Sequence, residues 1–186
     1  VGFHCFGDFG LFAVLAQESN PWSNAFNIPF PNPPSSMLIN WAFLIIGGYD
    51  VALVVFFLVA AVLFVVAIWL AFRRGLHRAM VSSLLLILSF PTLIAFDRGN
   101  QVLLIIPLFV LAAHFFEAGK PRKFLAIVLI ISLLKPHFLL LTLATIRGAP
   151  WRTAGTWLAF GLAQIASLLL LSKPILDSAS AWLRNM

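Results

Sequence analysis

The stretch Phe124–Ile146, FLAIVLIISLLKPHFLLLTLATI, contains a single residue that is charged at neutral pH, Lys135, followed directly by Pro136 and His137. Proline disfavours helical backbone in the residue before it and lacks an N–H donor, so a helix entering this stretch is expected to end near Lys135. An ammonium group in hydrocarbon costs about 2.5–3.5 kcal/mol at a helix centre. The stretch therefore predicts a broken helix and an anionic partner for the lysine.

The composition of the chain indicates its class. Of 186 residues, 62% are hydrophobic and 10% are charged, whereas soluble domains are about a quarter charged. Val51–Phe72 has no charge over 22 residues, which is enough to cross a hydrocarbon core of about 30 Å. We therefore predict an all-α polytopic membrane protein, integral to a bacterial plasma membrane. Its single cysteine, Cys5, excludes an internal disulfide and gives no metal-binding spacing.

The net charge of +6 comes from short basic clusters between apolar runs. This pattern is typical of the positive-inside rule and not of a surface that follows nucleic-acid phosphates, so we expect no nucleic-acid partner. If the clusters share one side of the membrane, an even number of crossings separates each pair. The three clusters are Arg73, Arg74, His77 and Arg78; Lys120, Arg122 and Lys123; and Arg147 and Arg152.

The last two clusters are separated by 23 residues, too few for two full spans. The conflict is removed if Phe124–Leu134 and Phe138–Ile146 are two short helices broken at Lys135. Eleven helical residues rise only about 16 Å, so Lys135 would lie partway through the bilayer. Non-helical backbone is tolerated there only beside protein or water, which predicts a polar cavity that opens outward with Lys135 at its floor.

The layout divides the chain into three parts. Residues 1–50 form an outer loop with juxtamembrane helices, one of them over Ser36–Ile46, and Gly47-Gly48 turns into the first span. Residues 51–172 form the transmembrane bundle, and residues 173–186 return outside. Because the chain begins at Val1, without an initiator Met or a signal-peptide pattern, we expect a partial or processed chain. The predicted spans other than the broken pair are Val51–Phe72, Ala79–Phe96, Gln101–Phe116 and Thr153–Ser172.

Few polar groups lie on the predicted outer side, and no P-loop, dinucleotide fingerprint, HExxH or CxxC motif occurs. Lys135 and Arg98 are suited to a lipid phosphate, because each donates charge-assisted hydrogen bonds to phosphate oxygens. Asp8 is a general-base candidate for a sugar hydroxyl, although a helix N-cap is an ordinary alternative role for it. The ordinary role for His137 is to cap the second half-helix or to fill space.

Four motifs occur in order along the chain. They are Gly7-Asp8-Phe9 with Asn20-Pro21-Trp22, then Phe30-Pro31-Asn32-Pro33-Pro34, then Arg98-Gly99-Asn100-Gln101, and finally Ala126–Leu134 ending in Lys135-Pro136-His137. Together they resemble the GT-C glycosyltransferases, and most closely glycosyltransferase family 87, the polyprenyl-phosphate-mannose-dependent mannosyltransferases. Asn32 interrupts the aromatic-Pro-Pro pattern that the second motif resembles, and Phe30 stands where the family more typically has tyrosine.

The resemblance implies a GT-C-like bundle whose active site faces outward. It implies Asp8 as the catalytic base, and Lys135 with Arg98 and His137 at the phosphate of the donor. Asn100 and Gln101 would contact substrate, or else satisfy backbone groups at their turn. The donor would be a polyprenyl-phosphate sugar in the membrane lipid, and the acceptor a glycolipid or glycan. No metal and no further cofactor is implied.

Two other classes of protein stay open on the sequence alone. A transporter or lipid flippase also uses broken helices and charges at the membrane midplane, but it would predict an internal repeat that we do not find. A noncatalytic membrane subunit would pair Lys135 with an acidic residue of another chain.

Overall fold

The computed structural model describes residues 34–73, 89, 92, 93, 95, 97 and 99–171 of the chain, and every element within them is helical. Asp8, Arg98 and most of the predicted span Ala79–Phe96 therefore lie outside the described residues. The elements are α1 (Pro34–Ile45), α2 (Gly48–Phe72), α3 (Val102–Glu117), α4 (Pro121–Leu134), a 3-10 helix (Pro136–Thr145) and α5 (Pro150–Leu171).

Two helices, α2 and α5, are long and apolar enough to cross a membrane. They confirm the predicted helices at Val51–Phe72 and Thr153–Ser172, and each starts three residues earlier than predicted. The earlier start of α2 follows a turn at Ile46-Gly47, and Gly48 has the positive φ of 79° that glycine adopts without strain. The third helix, α3, has 16 residues and is a shorter apolar helix.

The outer faces of the long helices carry large apolar side chains. On α2 these include Val54, Leu58, Val62 and Val65, and each is more than half exposed. An apolar surface of this extent is typical of a site that another apolar phase covers. α2 is apolar on all its faces, and its only charged residue, Asp50, lies in the first turn. A helix of this composition is suited to a lipid environment.

The predicted break lies at Lys135. α4 ends at Leu134, and Lys135 is extended with φ −141° and ψ 107°. The second half differs from the prediction, because Pro136–Thr145 is a 3-10 helix of 10 residues, longer than the few residues usual for this geometry. Two threonine hydroxyls donate to carbonyls three residues earlier, Thr142 to Leu139 and Thr145 to Thr142. These bonds occupy carbonyl oxygens within the tightly wound helix.

The chain folds back at the break. Thr145 and Thr153 share a hydroxyl contact of 3.1 Å, and the indole N–H of Trp157 donates to Thr142 at 2.8 Å. The later residue of the 3-10 helix, Thr145, thus contacts the earlier residue of α5, Thr153. The two helices therefore run antiparallel. Arg122 and Arg152 line the same cavity, so the first turns of α4 and α5 lie together.

The second and third basic clusters lie together at this end of the bundle, which we call the basic end. The residues between those clusters run away from the basic end along α4 and come back to it along the 3-10 helix, which is the reversal that the charge pattern predicts. The opposite end of α4, where Lys135 lies, we call the break end. The reversal needs no full-length span because α4 has only 14 residues and the 3-10 helix 10.

The apolar core lies between α2, α3 and α4. Phe56 of α2 is fully buried and meets Phe43 of α1 edge to face at 5.9 Å between ring centroids. On α4 the buried positions Leu125, Val128 and Ile131 follow helical spacing. This packing holds α4 against α3.

Candidate functional site at the break end

The turn at Gly99, between the helical residue Asp97 and α3, brings Asn100 and Gln101 to the break end. Gly99 has φ 63°, and the N–H of Asn100 donates to the carbonyl of Ala95 at 2.8 Å. This is the bond pattern of a helix that ends in a left-handed glycine. The Asn100 Oδ1 accepts the N–H of Val102 at 3.0 Å and so satisfies an otherwise free donor at the start of α3.

Gln101 is 1% exposed and joins this turn to α1. Its Oε1 accepts the hydroxyl of Ser36 at 2.8 Å, and its Nε2 donates to the Ser36 carbonyl at 3.4 Å. A primary amide can thus bond both groups of one serine. In this structure Gln101 ties the turn to α1, and it is Asn100 that has the ordinary role of satisfying a backbone group at the turn. Contact of either residue with substrate stays a prediction.

Ser35 joins the broken helix to α5. Its hydroxyl donates to the Leu133 carbonyl at 2.6 Å, and that carbonyl lies in the last turn of α4, where intrahelical partners end. Gln164 of α5 closes the connection, since its Nε2 donates to the Ser35 hydroxyl at 2.8 Å and its Oε1 accepts the Ser35 N–H at 3.2 Å. Two adjacent serines of α1 therefore link the turn, the break and α5.

Lys135 lies beside this polar network. It is half-buried, its N–H donates to Ile131 at 2.9 Å, and its carbonyl accepts the N–H of Phe138 at 3.2 Å. His137 is exposed, and its ring lies over that of Phe138 with centroids 4.6 Å apart. The backbone at the break is thus satisfied on both sides of Lys135, which keeps the lysine in an extended conformation between two helices.

The structure thus brings two of the predicted site elements to one end of the bundle. The Asn100-Gln101 turn and the Lys135 break are bridged by Ser35 and Ser36 over a few hydrogen bonds. Asp8 and Arg98, the predicted base and the second phosphate ligand, lie outside the described residues. The outward cavity above Lys135 stays a prediction, and Lys135 lines none of the three cavities described for the protein.

Sequence reasoning missed the part played by Ser35, Ser36 and Gln164. A signal existed, because Gln164 is an amide within the predicted apolar span Thr153–Ser172. Such residues in membrane helices usually bond across helices. The partner was not readable, because Ser35 and Gln164 are 129 positions apart.

Helix α1 has the reverse of the usual amphipathic pattern. Its buried side includes Ser35, Ser36 and Asn40, while Trp41 and Ile45 are exposed. Asn40 is 2% exposed, and its Nδ2 has no hydrogen-bond partner among the residues that the structure describes. A buried unpaired donor costs about 1–3 kcal/mol. The polar side of α1 thus faces the bundle interior at the break end.

The Trp157 indole gives a direct measure of how firmly the 3-10 helix is held to α5. We expect Trp157→Phe to lower the free energy of unfolding by about 1 kcal/mol, because it removes the 2.8 Å bond to Thr142 and keeps most of the ring. Trp151→Phe is the matched control, since Trp151 is 88% exposed. Unfolding in mild detergent along an SDS titration measures both, and equal losses would contradict the assignment.

Within the described ranges, no three His, Cys, Asp or Glu side chains are grouped so as to hold a metal ion. The largest described cavity, about 640 Å³, is lined mainly by apolar residues of α2, together with Thr92, Leu93 and Leu103. A smaller one of about 460 Å³ lies between α4 and α5 at the basic end.

No protein-family model, curated protein or solved structure matches the chain.

Proposed function

We propose that this protein is an integral membrane glycosyltransferase of the GT-C type. It transfers a sugar from a polyprenyl-phosphate donor to a glycolipid or glycan acceptor on the outer face of the membrane. The family resemblance implies that this sugar is mannose. The observation that supports this most is the meeting of the Lys135 break with the Asn100-Gln101 turn at one end of the bundle. These are two of the four motifs on which the resemblance rests.

In the proposed reaction the acceptor hydroxyl attacks the anomeric carbon of the donor sugar. The bond between that carbon and the phosphate oxygen breaks, and polyprenyl phosphate leaves with the bonding electron pair. Asp8 takes the proton of the acceptor hydroxyl. Lys135, assisted by Arg98 and His137, stabilises the charge that develops on the leaving phosphate. A direct displacement of this kind inverts the configuration at the sugar carbon.

Two features make Lys135 suited to a lipid phosphate. It is half-buried, so its charge is less screened than that of an exposed lysine. It is also held in extended backbone at the end of a short helix, which points to a fixed position for the base of its side chain. A preorganised cation of this kind is what the stabilisation of a leaving phosphate requires.

The test of the base is a transfer assay in liposomes that contain a polyprenyl-phosphate mannose and a glycolipid acceptor. We expect Asp8→Asn to abolish transfer and to leave donor binding nearly intact, because the amide cannot accept the proton. Glu18→Gln is the control, as it neutralises another acid of the same predicted outer segment. Transfer by Asp8→Asn at the parental rate would refute the assignment, and transport of labelled donor without transfer would favour a flippase.

A further inference from the structure

The cavity between α4 and α5 at the basic end has a charged mouth and an apolar wall. Arg122 and Arg152 lie in the first turns of the two helices, and Leu125 and Leu129 continue the wall along α4. From Arg122 to Leu129 the wall rises about 10 Å at 1.5 Å per residue. The cavity of about 460 Å³ therefore runs along the helices as a groove.

Small residues on both helices create the groove. Ala126 of α4 faces Gly155 and Ala159 of α5 across it. A Cβ added at Gly155 would meet no atom within 4 Å, so the space beside this residue is open. Elsewhere the same two helices are joined through Ser35 and Gln164 at the break end, so the opening belongs to the basic end.

The arginines are placed where a helix alone would not favour them. Cations are disfavoured in the first turn, because the N-terminal end of the helix dipole is positive. Neither α4 nor α5 has an acidic residue in its first turn, and no residue that lines the groove is acidic. Two cations that face one apolar groove are complementary to an anion attached to a hydrocarbon chain.

We propose that this groove binds one anionic phospholipid of the bilayer, with the phosphate between Arg122 and Arg152 and an acyl chain along Leu125 and Leu129. The positive-inside rule puts basic residues on the leaflet where anionic lipids attract them. A free phosphate would occupy the charged mouth alone and leave the apolar wall uncovered. The site lies at the opposite end of α4 from Lys135 and does not depend on the proposed transfer reaction.

The charge test uses the full chain in detergent and measures bound phosphatidylglycerol and phosphatidylcholine by native mass spectrometry. We expect the double variant Arg122→Gln/Arg152→Gln to bind phosphatidylglycerol about tenfold more weakly. The control Lys120→Gln/Arg147→Gln removes two charges from the same end outside the groove and should change binding less than about twofold. Equal loss in both double variants, or equal binding of the two lipids by the parent, would overturn the proposal.

The groove itself is tested without any change of charge. Gly155→Leu fills the open space and should weaken phosphatidylglycerol binding. Gly161→Leu is the matched control, because a Cβ there also meets no atom within 4 Å, the residue is on the same helix, and it lies outside the groove. Both changes raise helix propensity equally. Unchanged binding by Gly155→Leu, or competition by glycerol phosphate as strong as that by the lipid, would assign the site to a headgroup alone and refute the lipid.

Discussion

Lys135→Met is expected to reduce sugar transfer from a polyprenyl-phosphate donor by about 10²–10³-fold, the usual loss when one preorganised contact to developing charge is removed. Methionine keeps the length and apolar character of the side chain and removes its charge. The break itself should persist, because it depends on Pro136 and on the backbone bonds of Lys135, both of which the variant keeps. The measurement is the initial rate of transfer in liposomes.

Two variants distinguish an effect at the phosphate from a general effect of lost charge. Lys135→Arg keeps a cation and should retain part of the rate, although its guanidinium differs from an ammonium in shape. Lys120→Met removes a lysine from the turn at the basic end and should leave the rate unchanged. Donor binding should fall together with the rate in Lys135→Met, unlike in Asp8→Asn. Parental transfer by Lys135→Met would exclude Lys135 from the donor site.

Ser35→Ala is expected to lower the free energy of unfolding by about 3 kcal/mol. The change removes the hydroxyl from the part-buried Leu133 carbonyl and from the buried Gln164 Nε2, and a buried group that loses its bond costs about 1–3 kcal/mol. No apolar volume is lost that would explain a loss of this size. Circular dichroism along an SDS titration in mild detergent measures the free energy.

The control is Ser167→Ala on α5. Ser167 is also buried, but its hydroxyl donates to the carbonyl of Ala163 one turn earlier in its own helix. That carbonyl keeps its helical bond, so the loss should stay below about 1 kcal/mol. A cycle with Gln164→Leu completes the test, since partners in one network should show coupling of about 0.5–3 kcal/mol. Additive losses would mean that Ser35 and Gln164 do not act together.

Several features of this fold were readable from short stretches of sequence. Pro136 ends α4 through the sterics of its own ring, so the break needed no knowledge of distant residues. The basic clusters predicted the reversal between α4 and α5, because 23 residues could not make two full spans. The 3-10 winding of Pro136–Thr145 was not readable, since ten apolar residues with two threonines fit an α-helix equally well.

The candidate site was readable only in part. Lys135 stood out by charge in an apolar stretch, and the Asn100-Gln101 turn by its glycine and amides. That the two lie at one end of the bundle follows from the hydrogen bonds of Ser35 and Ser36. Serines in a proline-rich segment gave no sign that their hydroxyls would be buried.

The sequence by itself determined the helical class, the two long apolar helices and the helix break at Lys135, because these follow from composition and from steric effects between neighbouring residues. Only the tertiary structure decided which polar groups meet. Gln164 reaches Ser35 across 129 positions, and Arg122 and Arg152 face one groove because α4 and α5 start side by side. A buried hydrogen-bonding group must find a partner, but its chemistry does not state which of several distant partners packing will bring to it.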